Sequence, residues 1–315
     1  MKKILAMLIA LMLVLAVPAL AEEASYNVGI CQLVQHVALD DATQGFMDAL
    51  TAKLGDKVTF NLQNASGDSA TCVTIMNSLI AEEVDLIMAN ATPALQAAQA
   101  ATGDIPILGT SVTDYASALD IADWAGVTGI NISGTSDLAP LDGQAALLQE
   151  LFPEAKEVGL LYCTAEANSV YQVETIEGYL TAAGYNCTMY GFTDSNDVAS
   201  VVQSACANSD VLYAPTDNTV ASCTEAIRNV VDTEKKAIVG GDEGICAGCG
   251  VATICINYYD LGYATGEMAY EILVNGADVS AMPVEFSPNP IKVYNPEICE
   301  YLGITVPEGY QAIGD

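Results

Sequence analysis

The chain has 315 residues and a formal net charge of −31, because 40 Asp and Glu face only 9 Lys and Arg. Nucleic acid is excluded as a partner, since a phosphate backbone is held by clustered basic side chains and the sequence contains a single arginine, Arg228. A hydrophobic fraction of 52% is too high for a disordered acidic chain, so we expect one large globular domain or two medium ones.

The N-terminus has the pattern of an export signal. Lys2 and Lys3 precede the 13 apolar residues from Ile4 to Ala16, and Ala19-Leu20-Ala21 has the small-x-small form of a cleavage site. The run is shorter than the about 20 residues of a membrane-spanning helix. The first cysteine, Cys31, comes too late for a lipid anchor. We therefore predict a signal peptide over residues 1–21 and an exported, freely diffusing monomer, most simply in a periplasm.

Short apolar runs rich in Val, Ile and Leu recur along the remaining chain, as expected of strands covered on both faces. The predicted strands are Asn27–Cys31, Val58–Leu62, Val84–Ala89, Ile105–Gly109, Val158–Cys163, Asn186–Tyr190, Val211–Ala214, Ala237–Gly240 and Val251–Ile256.

Between these strands, apolar residues recur at helical spacing. The clearest stripes run from Phe46 to Leu54, from Cys72 to Ile80 and from Leu261 to Ile272, and Asp68 is placed to cap the second. Alternating strands and helices predict parallel sheets with right-handed crossovers.

The series runs twice, over about residues 26–110 and 157–256, with a Gly, Ser and Thr-rich segment at 126–141 between them. We predict an α/β fold with two similar Rossmann-like lobes joined by a hinge. The N-terminal lobe would hold residues 22–132 and 258–282, and the C-terminal lobe residues 133–257 and 283–315. Ligands in open parallel sheets bind beyond the carboxyl ends of the strands, so an interlobe cleft is expected there.

The residues after the predicted strands are polar. Any single such loop is explained by helix capping alone, but five loops converge on one cleft and three carry acids beyond what capping requires. Hydroxyls and helix N-terminal N–H groups suit a carboxylate, while Glu166, Asp217, Asp242 or Glu243 suit an ammonium group. Because no Lys or Arg occurs in these loops, the pattern favours an amino acid zwitterion over sugar phosphates or dicarboxylates.

Several segments together resemble the substrate-binding proteins of ABC importers of the tryptophan and tyrosine type. They are Gln35-His36-Val-Ala38-Leu39-Asp40, Gln44-Gly45-Phe46, Asn64-Ala65-Ser66-Gly67-Asp68, Asn90-Ala-Thr92-Pro93, Ser136-Asp137-Leu138, Glu166-Ala-Asn168-Ser169, Pro215-Thr216-Asp217-Asn218-Thr219 and Tyr258-Tyr-Asp-Leu-Gly262.

The resemblance implies a type I periplasmic-binding-protein fold that captures tryptophan, tyrosine or phenylalanine by lobe closure and delivers it to a membrane permease driven by an ATPase. The ligand-binding positions that it implies are Asn90, Thr92, Ser111, Thr113, Ser136, Asp137, Glu166, Asn168, Ser169, Asp217, Asn218, Thr219, Asp242 and Glu243, with Gln35 and His36 as further candidates. Family members often have Glu and Pro where Gln35 and Val37 flank His36 here.

Two alternatives stay open: a sugar- or nucleoside-binding protein of the same fold, and an exported α/β enzyme. Against the enzyme, the sequence has no Gly-x-Ser-x-Gly elbow, no dinucleotide or phosphate loop, and no second histidine beside His36. No catalytic residue, cofactor or metal is predicted. The ten cysteines are expected to be mostly buried thiols, while the pair Cys246 and Cys249 leaves open a local disulfide, a redox dithiol or half of a metal site.

Overall fold

The computed structural model describes residues 25–287 and 290–314, so the predicted signal peptide at residues 1–21 lies outside the described residues. Strands form over β1 (Tyr26–Gln32), β2 (Val58–Asn64), β3 (Leu86–Asn90), β4 (Ile107–Val112), β5 (Ile132–Ser136), β6 (Glu157–Cys163), β7 (Asn186–Phe192), β8 (Val211–Ala214), β9 (Ile238–Gly240), β10 (Ala252–Cys255), β11 (Glu285–Phe286), β12 (Ile291–Tyr294) and β13 (Gln311–Ala312).

Helices alternate with these strands. They are α1 (Val37–Leu54), α2 (Ser69–Ala81), α3 (Thr92–Ala101), α4 (Tyr115–Ala118), α5 (Leu141–Leu151), α6 (Ala167–Ala182), α7 (Val198–Asn208), α8 (Asn218–Ser222), α9 (Thr224–Glu234), α10 (Glu243–Gly248), α11 (Tyr258–Asn275) and α12 (Pro296–Leu302). The cap predicted at Asp68 is present, because its side chain accepts a hydrogen bond from the backbone N–H of Ala70 in α2.

The strands form two sheets. The first has the order β11-β5-β4-β3-β1-β2 and the second β13-β12-β10-β9-β8-β6-β7. The α/β fold with two mostly parallel sheets is confirmed, and each of the nine predicted strands is present. The exception to parallel pairing is β12, which runs antiparallel to β10.

The sequence did not reveal β5, which lies in the segment interpreted as a linker. Its residues, Ile-Ser-Gly-Thr-Ser, lack a continuous apolar run, yet all five are buried. Pairing with β4 and the buried hydroxyl contact of Thr135 with Thr265 of α11 hold the strand in the first sheet. The division into two lobes stays a prediction. That division placed residues 133–136 and 285–286 in the C-terminal lobe, whereas the strands that contain them, β5 and β11, pair in the first sheet.

Helices cover both faces of each sheet. In β1, alternate side chains point to opposite faces, so Val28 and Ile30 join the core that contains Phe46 of α1 and Met268 of α11. Cys31, the residue after Ile30, points to the other face and joins the opposite core with Cys72 of α2. This two-sided burial explains the apolar run from Val28 to Cys31 in the middle of the strand.

Helices α1 and α11 pack against each other through glycines. At Gly45 and Gly262 an added Cβ would overlap the backbone of the opposite helix, and at Gly266 it would lie 2.6 Å from the carbonyl oxygen of Phe46. Both helices begin beside the carboxyl ends of the strands, α1 just after His36 and α11 at Tyr258. The glycine contact therefore fixes the positions of these two side chains relative to each other.

None of the helices within residues 25–287 and 290–314 combines the length and apolar character that a membrane span requires. All ten cysteines lie in this described part and are free thiols, including Cys246 and Cys249. Within the same ranges, no group of three or more His, Cys, Asp or Glu is arranged to hold a metal ion.

The close helix contact yields a matched pair of substitutions. Gly266→Ala should lower the free energy of unfolding by about 1–3 kcal/mol, because its methyl group meets the backbone of α1. Gly178→Ala, in α6 with open space around it, should raise the free energy of unfolding by about 0.5–1 kcal/mol through helix propensity. Urea unfolding measures both; equal effects of one sign would refute the packing argument.

Candidate functional site

A small enclosed cavity lies where loops of the two sheets meet. We call it the acid cavity. Its volume is about 10 Å³, which is room for roughly one water molecule. Its lining consists of His36, Leu39, Ser111, Asp137, Asn168, Thr216, Asp217, Asn218, Asp242 and Tyr258.

The three aspartates of the acid cavity follow the carboxyl ends of strands, as the sequence analysis expected for ligand-binding side chains. Asp137 comes directly after β5, and Asp242 comes two residues after β9. Asp217 follows β8 and caps α8 by accepting from the backbone N–H of Val220 at 2.8 Å. Asp242 caps α10 in the same way, accepting from Ile245 at 2.8 Å. Capping holds both carboxyls in place at the cavity wall. The other oxygen of Asp217 accepts from the backbone N–H of Cys163 at 2.6 Å, so both of its oxygens are hydrogen-bonded.

Burial dominates the chemistry of these carboxyls. Asp137, Asp217 and Asp242 are each less than 5% exposed. Desolvation raises the pKa of all three, that of Asp242 to about 7, and the nearby Glu166 raises the pKa of Asp217 further. No Lys or Arg is among the residues that line the cavity. The cavity is therefore a site that favours a cation, or holds protons in its place.

Two polar atoms at the cavity are buried without a hydrogen-bond partner among the described residues. They are the hydroxyl oxygen of Ser111 and the amide oxygen Oδ1 of Asn168. Ser111 also has φ of 54°, in the left-handed region that a serine seldom adopts. Buried polar atoms are nearly always paired, so an orphaned pair beside a cavity points to a ligand that completes them.

Two long helices begin at the cleft without a side-chain cap. The N-cap of α3 is Ala91, whose φ is 89°, and that of α6 is Glu166; neither side chain makes a cap hydrogen bond. By contrast, Asp217 and Asp242 cap their own short helices. Thr92, at the start of α3, also has a buried hydroxyl without a partner. Uncapped N–H groups and a free hydroxyl favour an anionic group.

Glu166 braces the second-sheet side of the cleft. Its Oε1 accepts from the backbone N–H and hydroxyl of Thr219 at 2.9 and 2.7 Å. Its Oε2 accepts from the backbone N–H and side-chain amide of Asn218 at 3.1 and 2.6 Å, and from Asn168 at 3.3 Å. Both oxygens are thus occupied by the loop that also carries Asp217.

Other predicted residues stand behind the lining of the acid cavity. Thr113 donates to Oδ1 of Asp137 at 2.9 Å, and Ser136 donates to the carbonyl of Thr113 at 2.8 Å. Ser169 hydrogen-bonds the side chain of Asp217. Asn90 donates to the carbonyl of Leu39 at 2.8 Å and leaves its own amide oxygen unpartnered.

His36 connects the loops of the two sheets. Its Nε2 lies 3.3 Å from Oδ1 of Asn218, and desolvation lowers the pKa of the imidazole. A neutral ring at this contact links the loop after β1 to the loop after β8.

The sequence analysis missed three buried glutamines that position the cleft loops. Gln172 clamps Thr216, donating to its carbonyl at 3.0 Å and accepting from its N–H at 3.2 Å, directly before Asp217. Gln144 donates to the carbonyl of Gly241 at 3.1 Å, directly before Asp242. Gln32 accepts from Thr43 at 2.7 Å and donates to Asp40 at 2.6 Å near the start of α1.

Tyr258, at the start of α11, lines the acid cavity. Its hydroxyl donates to Oδ2 of Asp137 at 2.9 Å. The aspartate therefore accepts from α11 on one oxygen and from Thr113 on the other.

Two larger spaces adjoin the acid cavity. The first, which we call the tyrosine groove, has a volume of about 870 Å³ and shares His36 and Tyr258 with the acid cavity; Gln35 and Glu243 lie on its wall. The second, the Glu166 pocket, has a volume of about 210 Å³ and shares Asn218 with the acid cavity. It contains Pro93 and Glu166, at the starts of α3 and α6.

Comparisons with known proteins agree on one family. The family model described as "ABC transporter substrate binding protein" matches residues 27–313. A protein of Clostridioides difficile (strain R20291) named "Tyrosine-binding protein" is 38% identical over 261 residues, covering 82% of this chain and 75% of that protein.

Two solved structures are similar over most of the chain. The ABC domain in complex with L-Trp from Streptococcus pneumonia has a TM-score of 0.87 at 32% identity, with 92% of this chain and 100% of that chain covered. A ligand-free, open structure of a substrate-binding protein with adhesive properties from Clostridium difficile has a TM-score of 0.68 at 37% identity, with 91% and 99% covered.

The family match spans nearly all of the described chain, and the fold agrees with that of the solved structures named above. The chain belongs to the ABC transporter substrate-binding protein family.

Proposed function

We propose that this protein is the extracytoplasmic substrate-binding component of an ABC importer and captures a free aromatic amino acid, tyrosine, tryptophan or phenylalanine, between its two lobes. The observation that carries the proposal is a cluster of three buried aspartates without a basic partner, next to two uncapped helix N-termini. An amino acid zwitterion supplies the opposite charge to each half.

The ammonium group is assigned to Asp242. Among the described residues, no side chain is seen to donate to its carboxyl, whereas Asp137 accepts from Thr113 and Tyr258. The α-carboxylate is assigned to the starts of α3 and α6, with the hydroxyls of Thr92 and Ser111 as further donors. The remaining predicted residues, among them Glu166 and Ser169, hold these groups in place.

The named relatives support an aromatic ligand, since one is called a tyrosine-binding protein and another was solved with L-Trp. The arrangement of the lobes supports capture by closure. This chain has a TM-score of 0.87 to the L-Trp complex and 0.68 to the ligand-free, open structure, although the second is the more similar in sequence. Closure brings both sets of loops onto the ligand, so binding energy is realised only in the closed form.

The proposed role involves no chemistry on the ligand, which a permease and an ATPase would accept and move across the membrane. His36 is the only histidine in the sequence, and it contacts Asn218 rather than a nucleophile. We propose that the protein works as a monomer. Incubation with tyrosine or tryptophan should return the amino acid unchanged by mass spectrometry.

The first test of binding removes the positive charge of the ligand in one experiment and the negative charge of Asp242 in another. Titration calorimetry should detect saturable binding of tyrosine, and 3-(4-hydroxyphenyl)propionate, which lacks only the amino group, should bind at least about 100-fold more weakly because a buried carboxylate stays unpaired. Asp242→Asn, which can still cap α10, should weaken tyrosine binding by a similar factor.

Asp56→Asn is the matched control, because Asp56 is exposed in the turn after α1. It should leave the affinity for tyrosine unchanged. Equal binding of tyrosine and its deamino analogue, or saturable binding of a sugar or nucleoside in place of every aromatic amino acid, would overturn the proposed function.

The affinity should also depend on pH. The pKa of the Asp242 carboxyl is about 7 in the ligand-free protein, so it is protonated below that value and cannot pair with an ammonium ion. Tyrosine binding should therefore strengthen as pH rises from about 5.5 to about 8, by up to about tenfold per unit below the pKa, and should release protons. Calorimetry in buffers of different ionisation enthalpy measures both; a flat profile without proton release contradicts the assignment.

A further inference from the structure

The tyrosine groove lies beside the acid cavity and is far larger than it. The two share His36 and Tyr258 as a common wall, yet their volumes are about 870 Å³ and about 10 Å³. A space of about 300–1,000 Å³ is sufficient for a drug-sized molecule, so the groove exceeds what a phenol or indole ring needs.

The size of the acid cavity decides where a ligand side chain goes. With room for roughly one water molecule, the cavity can take an ammonium group but no ring. The Glu166 pocket holds the starts of α3 and α6, to which the α-carboxylate was assigned. The tyrosine groove is then the remaining space that adjoins Tyr258.

The walls of the groove suit an apolar extension. Small residues from both lobes set its width, among them Ala38, Ala221 and Ala247, and Ile256 and Tyr259 add apolar surface. At about 870 Å³, the groove holds more space than the ring of a bound tyrosine would fill. A substituent on the ring would extend along the groove toward solvent.

The charged residues on the wall of the groove determine which ring substituents it accepts. Asp41 of α1 and Glu243 of α10 lie on its wall, and no Lys or Arg is among its lining residues. An anionic substituent would be repelled by both carboxylates, while a neutral or cationic one would not.

We infer that the tyrosine groove is a side-chain extension subsite. The protein binds aromatic amino acids that carry bulky neutral or cationic ring substituents, such as ethers of tyrosine, and rejects anionic ones. The inference rests on the proposed function, because it takes the zwitterion to be held at Asp242 and at the starts of α3 and α6.

The experiment compares three ligands by titration calorimetry on the same protein. O-benzyltyrosine should bind within about tenfold of tyrosine, since the groove accommodates the added ring, and O-phosphotyrosine should bind at least about 100-fold more weakly. Ala247→Trp places a large side chain at an exposed position in the groove. It should weaken O-benzyltyrosine at least about tenfold while changing the affinity for tyrosine less than about threefold, which also confirms a folded cleft.

Ala199→Trp is the control, because Ala199 is exposed in α7 and lines a separate surface pocket. It should leave all three affinities unchanged. If tyrosine binds but O-benzyltyrosine does not, or if Ala247→Trp affects neither ligand, the extension subsite is wrong while the proposed function stands. Binding of O-phosphotyrosine as tight as that of tyrosine overturns the charge selection. If tyrosine, tryptophan and phenylalanine all fail to bind, the proposed function falls, and the subsite with it.

Discussion

The cost of burying carboxyl groups without a counter-ion governs the cleft. Asp137, Asp217 and Asp242 face one small cavity that no Lys or Arg lines, and desolvation raises the pKa of each. A buried charge is stable only when it is paired and hydrogen-bonded. Without a cation beside them, desolvation favours the protonated form of these groups. The cleft is thus electrostatically incomplete, and in the proposed function a captured solute would complete it.

The scaffold makes this arrangement stable in the absence of a ligand. Gln144 and Gln172 hold the loops directly before Asp242 and Asp217 with neutral amide hydrogen bonds, which add no further charge. Glycines let α1 and α11 approach closely, and those helices begin at His36 and Tyr258. In the proposed function, these supports on each side would leave the approach of the two lobes as the motion that binding controls.

Much of this could be predicted from the sequence, and the failures have physical reasons. Continuous Val, Ile and Leu runs reveal strands buried on both faces, and polar residues after them mark the cleft. The sequence did not predict β5, because its Ser, Thr and Gly residues are buried by hydroxyl pairing rather than by apolar packing. The sequence did not predict the roles of Gln144 and Gln172, because a glutamine within a helix normally faces solvent. Which polar groups stay unpartnered, as at Ser111, depends on tertiary contacts that no local pattern encodes.

The most direct test of the account measures the pKa values of the three buried aspartates. Carbon NMR of the labelled carboxyl groups would give these values with and without saturating tyrosine. The account predicts at least one aspartate that titrates above about pH 6 in the free protein and moves toward or below its ordinary value, near about 4, when tyrosine is bound. Carboxyls that all titrate near about 4 without ligand, or that do not respond to tyrosine, would contradict it.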